Sequence, residues 1–502
     1  MSGFLNIDAQ GNCLLGGSLL HPARAPLMAA QKEITPFLAQ AGSFDTLVFM
    51  GGGLGWHIKA ALSGLSPEQI ILYQVHEQEP YWQACLGPEL PRLKRVANAQ
   101  ELAEALGARL VYRKEPGRVA VYAPPAYCQV FPQLFQEIKD ALARAIKRGQ
   151  SDHLTRHKLN TVWNQNIAGN IDVLFNVPDI WQSAQSFNDM PALVVGAGPS
   201  LDMSLPLLKN MRNKALVLGA ASSLGPLARQ GLVPHVAVAL EAKDETRQFA
   251  DADMGKVCLL AALNGNPLHF TRWSGLVSFF HSNAWLPALL RHGGPLPTGG
   301  HATSAAFTLA CLWGCNPIIL IGQDLAYTGG RIHAGARPGG EDENTDKSLS
   351  VPALDGGQTL TSSVMLSYIE WYEEAAAHLR RQYPHLHIYN ATAAGALLKG
   401  FANADLKSLL DSLPAIADPE PLVRDLFRGL PRLAPAQVAG QVNQARGLLA
   451  CGFSSYEQLR EALAALPLES WFAEECFPEN WRQALAGLRL VIDSLVKKVD
   501  AC

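Results

Sequence analysis

Two stretches of the chain carry the residue types that bind and transfer a charged group. In the first, Val194-Val195-Gly196-Ala197-Gly198-Pro199-Ser200-Leu201-Asp202, an apolar strand runs into a glycine turn. Gly196 and Gly198 let a ligand approach the backbone closely, and Pro199 and Ser200 suit a helix start with Ser200 or Asp202 as its cap, so the amides of 198–200 would receive a phosphate. In the second, Thr298-Gly299-Gly300-His301-Ala302-Thr303-Ser304 opens a helix that Gly314-Cys315-Asn316-Pro317 stops. The apolar run Ile318–Ile321 then ends in Gly322-Gln323-Asp324-Leu325-Ala326-Tyr327, ahead of the loop Gly329-Gly330-Arg331-Ile332-His333. A buried strand ending this way gathers hydrogen-bonding and titratable groups at the sheet edge where open α/β folds bind ligands. Among the 14 histidines, His333 is the best placed to take a proton from a hydroxyl, because its loop is flanked by glycine. His301 stands at a helix amino end, where the dipole favours a neutral ring and a ligand contact.

Further acidic groups are candidates of a second kind. Glu241, at the end of VAVALEAKD, and Asp244 could touch a donor sugar or hold a metal. Asp251-Ala252-Asp253 copies the DxD pattern of many sugar transferases, but it follows helical sequence and reads as a solvated face, so no metal site is assigned. Near the amino terminus, Gly51-Gly52-Gly53-Leu54-Gly55 follows a strand and Glu77 comes later, as in a dinucleotide or methyl-donor fold, although His57 and Ile58 stand where a third fingerprint glycine belongs. No Walker A loop, HExxH or GxSxG motif occurs. The nine cysteines are scattered without a CxxC pair, which predicts reduced thiols and gives Cys311 and Cys315 no role.

These groups need a scaffold, and the rhythm of the sequence predicts an α/β one. FDTLVFMGGGLGWHIKAAL followed by IILYQVHEQEP is one βαβ unit, assigning 1–130 to a smaller amino-terminal Rossmann-like domain. Residues 131–187 read as a helical connector. Apolar strands in PALVVGAGPSLD, KALVLGAASS, PHVAVALEAKD, CLLAALN and PIILIGQDLAY alternate with helical or loop sequence, predicting a doubly wound parallel sheet over 188–412. Asn390–Phe401 reads as its last strand-to-helix passage. Beyond Pro414, helical runs such as Trp481, Leu485, Leu488, Ile492 and Leu495 predict a carboxy-terminal bundle over 413–502, and 335–348 reads as a mobile loop.

Composition bounds the partners. With 502 residues, 48% hydrophobic and 17% charged, the chain can bury several cores. A net charge of −3 offers no broad cationic footprint for nucleic acid or anionic lipid. The start MSGFLNIDAQGN lacks a signal-peptide pattern and no run approaches the roughly 18 apolar residues of a membrane span, so a cytoplasmic protein without membrane insertion is expected.

Taken together, VVGAGPSLD, GGHATSAAFTLACLWGCNPIILIGQDLAYTGGRIHA and YNATAAGALLKGF resemble the central domain of the motility accessory factor family of bacterial flagellin glycosyltransferases, over about 160–405. The resemblance implies transfer of a nonulosonic acid, such as pseudaminic or legionaminic acid, from a CMP-activated donor to Ser or Thr of flagellin. It also implies likeness to bacterial sialyltransferases, in which a comparable turn holds the nucleotide, tyrosines steady the leaving phosphate and a histidine is the base. Carried onto this sequence, Gly196, Gly198, Pro199 and Ser200 become the nucleotide turn, and Asp324 and Tyr327 become donor-site residues that assist catalysis. Glu241, Thr298, Gly299, Gly300, His301 and Gln323 complete the expected donor site.

Two departures stand out. The turn has Ala197 where those enzymes have asparagine, and the next strand ends in Ala220-Ala221-Ser222. The position of their base, before the last long helix, holds Thr359-Leu360-Thr361, so His333 is a substitute chosen from this sequence. The expected mechanism is an inverting displacement with no required cofactor. Two rivals remain: diphosphate transfer, as in the hydroxymethylpterin pyrophosphokinases that related domains resemble, and a non-catalytic flagellin-binding assembly factor.

Overall fold

The computed structural model describes residues 5–40, 45–75, 79–99, 101–102, 105–106, 119–209, 211–335, 349–468, 471, 476 and 480–501. Its chain separates into two compact units, 1–158 and 159–502. Glu77 and 336–348 lie outside the described residues.

In the first unit, β1 (Leu5–Ile7), β2 (Cys13–Leu15) and β3 (Ser18–His21) form an antiparallel sheet. Strands β4 (Thr46–Met50), β5 (Ile70–Tyr73), β6 (Lys94–Val96) and β7 (Val119–Tyr122) form a parallel one in the order β6-β5-β4-β7. The Gly51–Gly55 loop follows β4 as the βαβ rhythm demands, yet it is filled by the protein itself. Gly53 N–H donates to the Tyr127 hydroxyl at 3.0 Å, Leu54 N–H donates to His21 Nε2 at 3.2 Å, and Trp82 Nε1–H donates to the Gly53 carbonyl at 2.9 Å. A Cβ on Gly52 would come within 2.8 Å of Trp82. The amides a dinucleotide phosphate would need are already taken, so the partial fingerprint here marks close packing.

The second unit holds an eight-stranded, fully parallel sheet. Its strands are β8 (Ala192–Val195), β9 (Leu216–Ala220), β10 (Val236–Ala239), β11 (Cys258–Ala262), β12 (Val277–Phe280), β13 (Ile318–Ile321), β16 (Ile388–Asn390) and β17 (Ala402–Asn403), in the order β12-β11-β10-β9-β8-β13-β16-β17. Runs such as Ile318–Ile321 are apolar at every position because both faces are covered. One face packs Val194, Leu218, Val238 and Leu320 against Phe307 and Leu309 of the helix Ala302–Leu312 and Tyr372 of the helix Ser363–Gln382. On the other, Leu193, Val195 and Ile321 meet Leu205, Leu406 and Leu410.

The helical tail belongs to this same unit. Leu485, Leu488, Ile492 and Leu495 of the helix Trp481–Asp500 share one core with Leu259 and Ala261 of β11 and with Ile171 and Leu174. An amphipathic helix cannot bury its stripe alone, and here the sheet supplies part of the partner surface.

The passage after Asn390 differs from expectation. No helix starts there: residues 391–401 form a loop, and the next helix is Leu406–Ser412. Gly395, at φ +121°, lets this loop lie against Asp324, whose carbonyl accepts from Ala396 N–H at 2.8 Å. An unanticipated hairpin, β14 (Leu349–Pro352) and β15 (Gln358–Thr361), packs onto the same loop, with Leu397 N–H donating to the Pro352 carbonyl at 2.8 Å. Among the described residues, no helix is long and apolar enough to cross a membrane.

Candidate functional site

Strand order reverses between β8 and β13, because the chain proceeds from β8 towards β9 on one side and returns with β13 on the other. Open α/β sheets bind ligands outside the carboxyl ends of strands at such a point. A cleft of about 590 Å³ lies there. Gly198, Glu241, His301, Gln323, Asp324, Tyr327 and His333 all line it, so both stretches singled out in the sequence converge on one cavity.

The glycine turn does its work differently from the phosphate cradle expected. Gly198 N–H donates to the Gly322 carbonyl at 2.8 Å, Ser200 N–H donates to Asp324 Oδ2 at 3.0 Å, and Ser200 Oγ–H donates to Asp324 Oδ1 at 2.6 Å. Pro199 has no N–H, so amide donors over 198–200 are engaged inside the protein and are closed to a phosphate. Ser200 caps no helix with its side chain, and the helix that follows, Leu201–Ser204, has four residues. Gly196, Pro199 and Ser200 are not on the cleft wall. Gly196 is small because the Gly322 carbonyl passes 2.5 Å from where its Cβ would sit.

This also recasts Asp324. Its carboxylate is buried, which raises its pKa, while the bonds from Ser200 act in the opposite direction. A group so engaged clamps β8 to β13 while still lining the cleft. Asp202 pairs with Arg331 at 3.1 Å and accepts from Gly335 N–H at 3.2 Å, while Ala334 N–H donates to the Ala197 carbonyl at 2.8 Å. These bonds moor the 331–335 segment to the turn and set the exposed His333 at the cleft mouth. Tyr327 is buried and held by its N–H to the Leu360 carbonyl at 2.9 Å.

The GGHATS segment divides its labour. Thr298, Gly299 and Gly300 are not on the wall; they shape the chain before the helix. Gly299 N–H donates to Ser304 Oγ at 2.8 Å, and a Cβ on Gly299 would strike Trp371 at 2.8 Å. His301, Ala302 and Thr303 do face the cleft. The His301 ring lies 4.4 Å from that of Tyr368, and burial drives its pKa down to about 3, keeping it neutral at physiological pH. The Tyr368 hydroxyl is pushed up to about 12 by burial and by Glu241. Glu241 is accessible from the cleft, whose walls together with Glu245 raise its carboxyl above the ordinary range.

Sequence reasoning passed over Thr303, Tyr368, Glu245 and His269, all on the wall. Thr303 was within the quoted motif. Tyr368 stands four residues before the buried Tyr372 on the helix Ser363–Gln382, and nothing local marks His269. Also missed were the clamps behind the site. Asn166 Nδ2–H donates to the carbonyls of Ala242 and Asn264, each at 3.0 Å. Asn170 Nδ2–H donates to those of Leu263 at 2.8 Å and Gly265 at 2.9 Å. One amide thus ties the loop after β10 to the loop after β11. Asn166→Ala should destabilise the unit by about 1–3 kcal/mol, since it removes two buried hydrogen bonds and leaves the Ala242 carbonyl only the long 3.5 Å bond from Asn266 Nδ2–H. Urea unfolding checks this, and an unchanged midpoint would show that the clamp contributes nothing.

Among the described residues, no group of three His, Cys, Asp or Glu is gathered as a metal site. Asp253 instead pairs with Lys256 at 3.3 Å on the surface.

The architecture has counterparts. A family model described as 6-hydroxymethylpterin diphosphokinase MptE-like matches residues 165–330. A solved structure of a MAf glycosyltransferase from Magnetospirillum magneticum AMB-1 aligns over 99% of this chain and 90% of its own, at 15% identity and a TM-score of 0.55. The shared feature is therefore the α/β fold, along essentially the whole chain. No curated protein matches the sequence.

Proposed function

We propose that this chain is a cytoplasmic flagellin glycosyltransferase that moves a nonulosonic acid from a CMP-activated donor to Ser or Thr hydroxyls with inversion. The observation that carries the reading is the single cleft at the strand-order reversal, which joins Gly198, His301, Thr303, Gln323 and Tyr327 to a histidine at its mouth. The fold shared with a MAf glycosyltransferase supports it.

In this scheme the acceptor hydroxyl gives its proton to His333 while its oxygen bonds to the anomeric carbon, and the bond from that carbon to the phosphate oxygen breaks. CMP carries the negative charge away. With the 198–200 amides engaged, the amino end of the Ala302–Leu312 helix, with Thr303 beside it, is the better seat for the phosphate. Tyr327 faces the departing group. The scheme uses no metal or further cofactor.

Incubating the protein with flagellin and CMP-pseudaminic or CMP-legionaminic acid should raise the intact mass of flagellin by one or more sugar residues. No gain with either donor, while flagellin is retained on the protein, would favour a binding or assembly role instead. The match to an MptE-like model supports a second reading, diphosphate transfer from ATP to a hydroxymethylpterin. Magnesium-dependent formation of a pterin diphosphate, with no flagellin mass gain, would establish that one.

A further inference from the structure

The segment that carries His333 leaves the sheet end through a tight turn. Gly330 N–H donates to the Tyr327 carbonyl at 3.3 Å, and Arg331 N–H donates to that of Thr328 at 3.2 Å. Gly329 and Gly330 hold φ of +60° and +74°, and a Cβ on either would meet nothing within 4 Å. No neighbour demands glycine there; the left-handed backbone does, and the space around the turn is open. From the turn the chain crosses the cleft mouth, with Ile332 and His333 on the wall. Its other end is fastened to the glycine turn after β8. Ala334 N–H donates to the Ala197 carbonyl at 2.8 Å, and a single oxygen, Asp202 Oδ2, accepts both from Arg331 Nη1–H at 3.1 Å and from Gly335 N–H at 3.2 Å. The Arg331 and Asp202 side chains are 33% and 35% exposed, so water competes for the pair and it can break and re-form.

We propose that residues 328–335 are a lid on the cleft, hinged at Gly329-Gly330 and latched by Asp202, and that Asp202 is thereby the positioning residue for His333. A lid must yield to admit substrate and then return its base to the same place. One carboxylate oxygen that gathers a side chain and a backbone amide from the same segment serves both needs: when its bonds break, Arg331 and Gly335 are released together, and when they re-form, His333 between them is set again at the mouth. Asp202 is not on the cleft wall, so it touches no substrate there and acts through the lid. A misplacement of about 1 Å at a reacting group can cost about 10²-fold in rate, which makes the latch a matter of turnover more than of affinity.

The inference rests on His333 being the base, as in the proposed function, but the latch itself is tested without donor or flagellin. Hydrogen exchange of the full chain, resolved to single amides by mass spectrometry, should be about tenfold faster at Ala334 in Asp202→Ala than in the unaltered protein, while Ile319 and Leu320 of β13 keep their rates. Ala334 is the informative amide because its own acceptor, the Ala197 carbonyl, is untouched by the substitution. Arg331→Ala should act in the same direction by about threefold, Arg331→Lys should retain slow exchange, and the double variant should be no faster than Asp202→Ala, since both changes open one latch. With CMP-activated donor and flagellin, Asp202→Ala should lower kcat about 10–10²-fold and leave the donor KM within about twofold. Unchanged exchange at Ala334 in both Asp202→Ala and Arg331→Ala would overturn the latch, as would equal acceleration in β13, which would make Asp202 a support of the whole unit. Faster exchange at Ala334 with kcat within twofold would overturn the positioning role. A latch seen by exchange in a protein that modifies no flagellin would overturn the transferase reading alone.

Discussion

Gly198→Ala is expected to destabilise the 159–502 unit by about 2–5 kcal/mol and to abolish binding in the cleft. The reason is space. A Cβ on Gly198 would overlap the Asp324 carboxylate and come within 2.7 Å of the Gly322 carbonyl oxygen. Neither neighbour can retreat, because Asp324 accepts two bonds from Ser200 and the Gly322 carbonyl accepts from Gly198 itself. The methyl group must therefore open the β8–β13 seam or leave buried donors unpaired, and both cost stability. Urea unfolding measures the loss. Since the clash involves the Asp324 side chain, the double variant Gly198→Ala with Asp324→Ala should be less destabilised than the sum of the two single changes. Strict additivity, or an unaltered midpoint in Gly198→Ala, would show that the turn is looser than the structure describes.

Substitution of His333 should act on rate alone. Its side chain is exposed, and the bonds that moor its segment come from Arg331, Ala334 and Gly335, so His333→Ala leaves them in place. If His333 takes the proton from the acceptor hydroxyl, transfer should fall about 10²–10⁴-fold with unfolding and nucleotide affinity unchanged. Added imidazole should restore part of the rate in His333→Ala, which a purely structural role would not allow. Flagellin mass followed over time reads both. Transfer within twofold of the unaltered protein would remove His333 from the mechanism and leave Tyr327 and Glu241 as the cleft groups to test next.

The same residues show how far local pattern reaches. Strands such as Ala192–Val195 and Ile318–Ile321 are legible because a strand covered on both faces is apolar at every position, and the alternation with helices demands parallel pairing. Which strands lie side by side is not legible in that way: the pairing of β8 with β13 is what brings the glycine turn beside Gln323 and Asp324. β12 and the β14–β15 hairpin were harder to see: Ser278 interrupts the apolar run of β12, and the two hairpin strands are half-exposed and mix polar with apolar residues. The helical tail was recognised from its stripe, but a stripe does not say which surface covers it.

Residue order alone thus determined the layers and the two stretches that carry polar groups at strand ends, since periodicity is a local property, while the strand order and the place where the sheet reverses came only with the tertiary structure. Tertiary structure alone decided which donors remain open. Ser200 and Asp324 lie 124 positions apart, and their contact closes the turn to phosphate. Asn166 reaches across the sheet end to hold the loops bearing Glu241 and His269. A hydrogen bond consumes a donor wherever its acceptor comes from, so whether a polar group serves the fold or a ligand is settled only when every partner is in place.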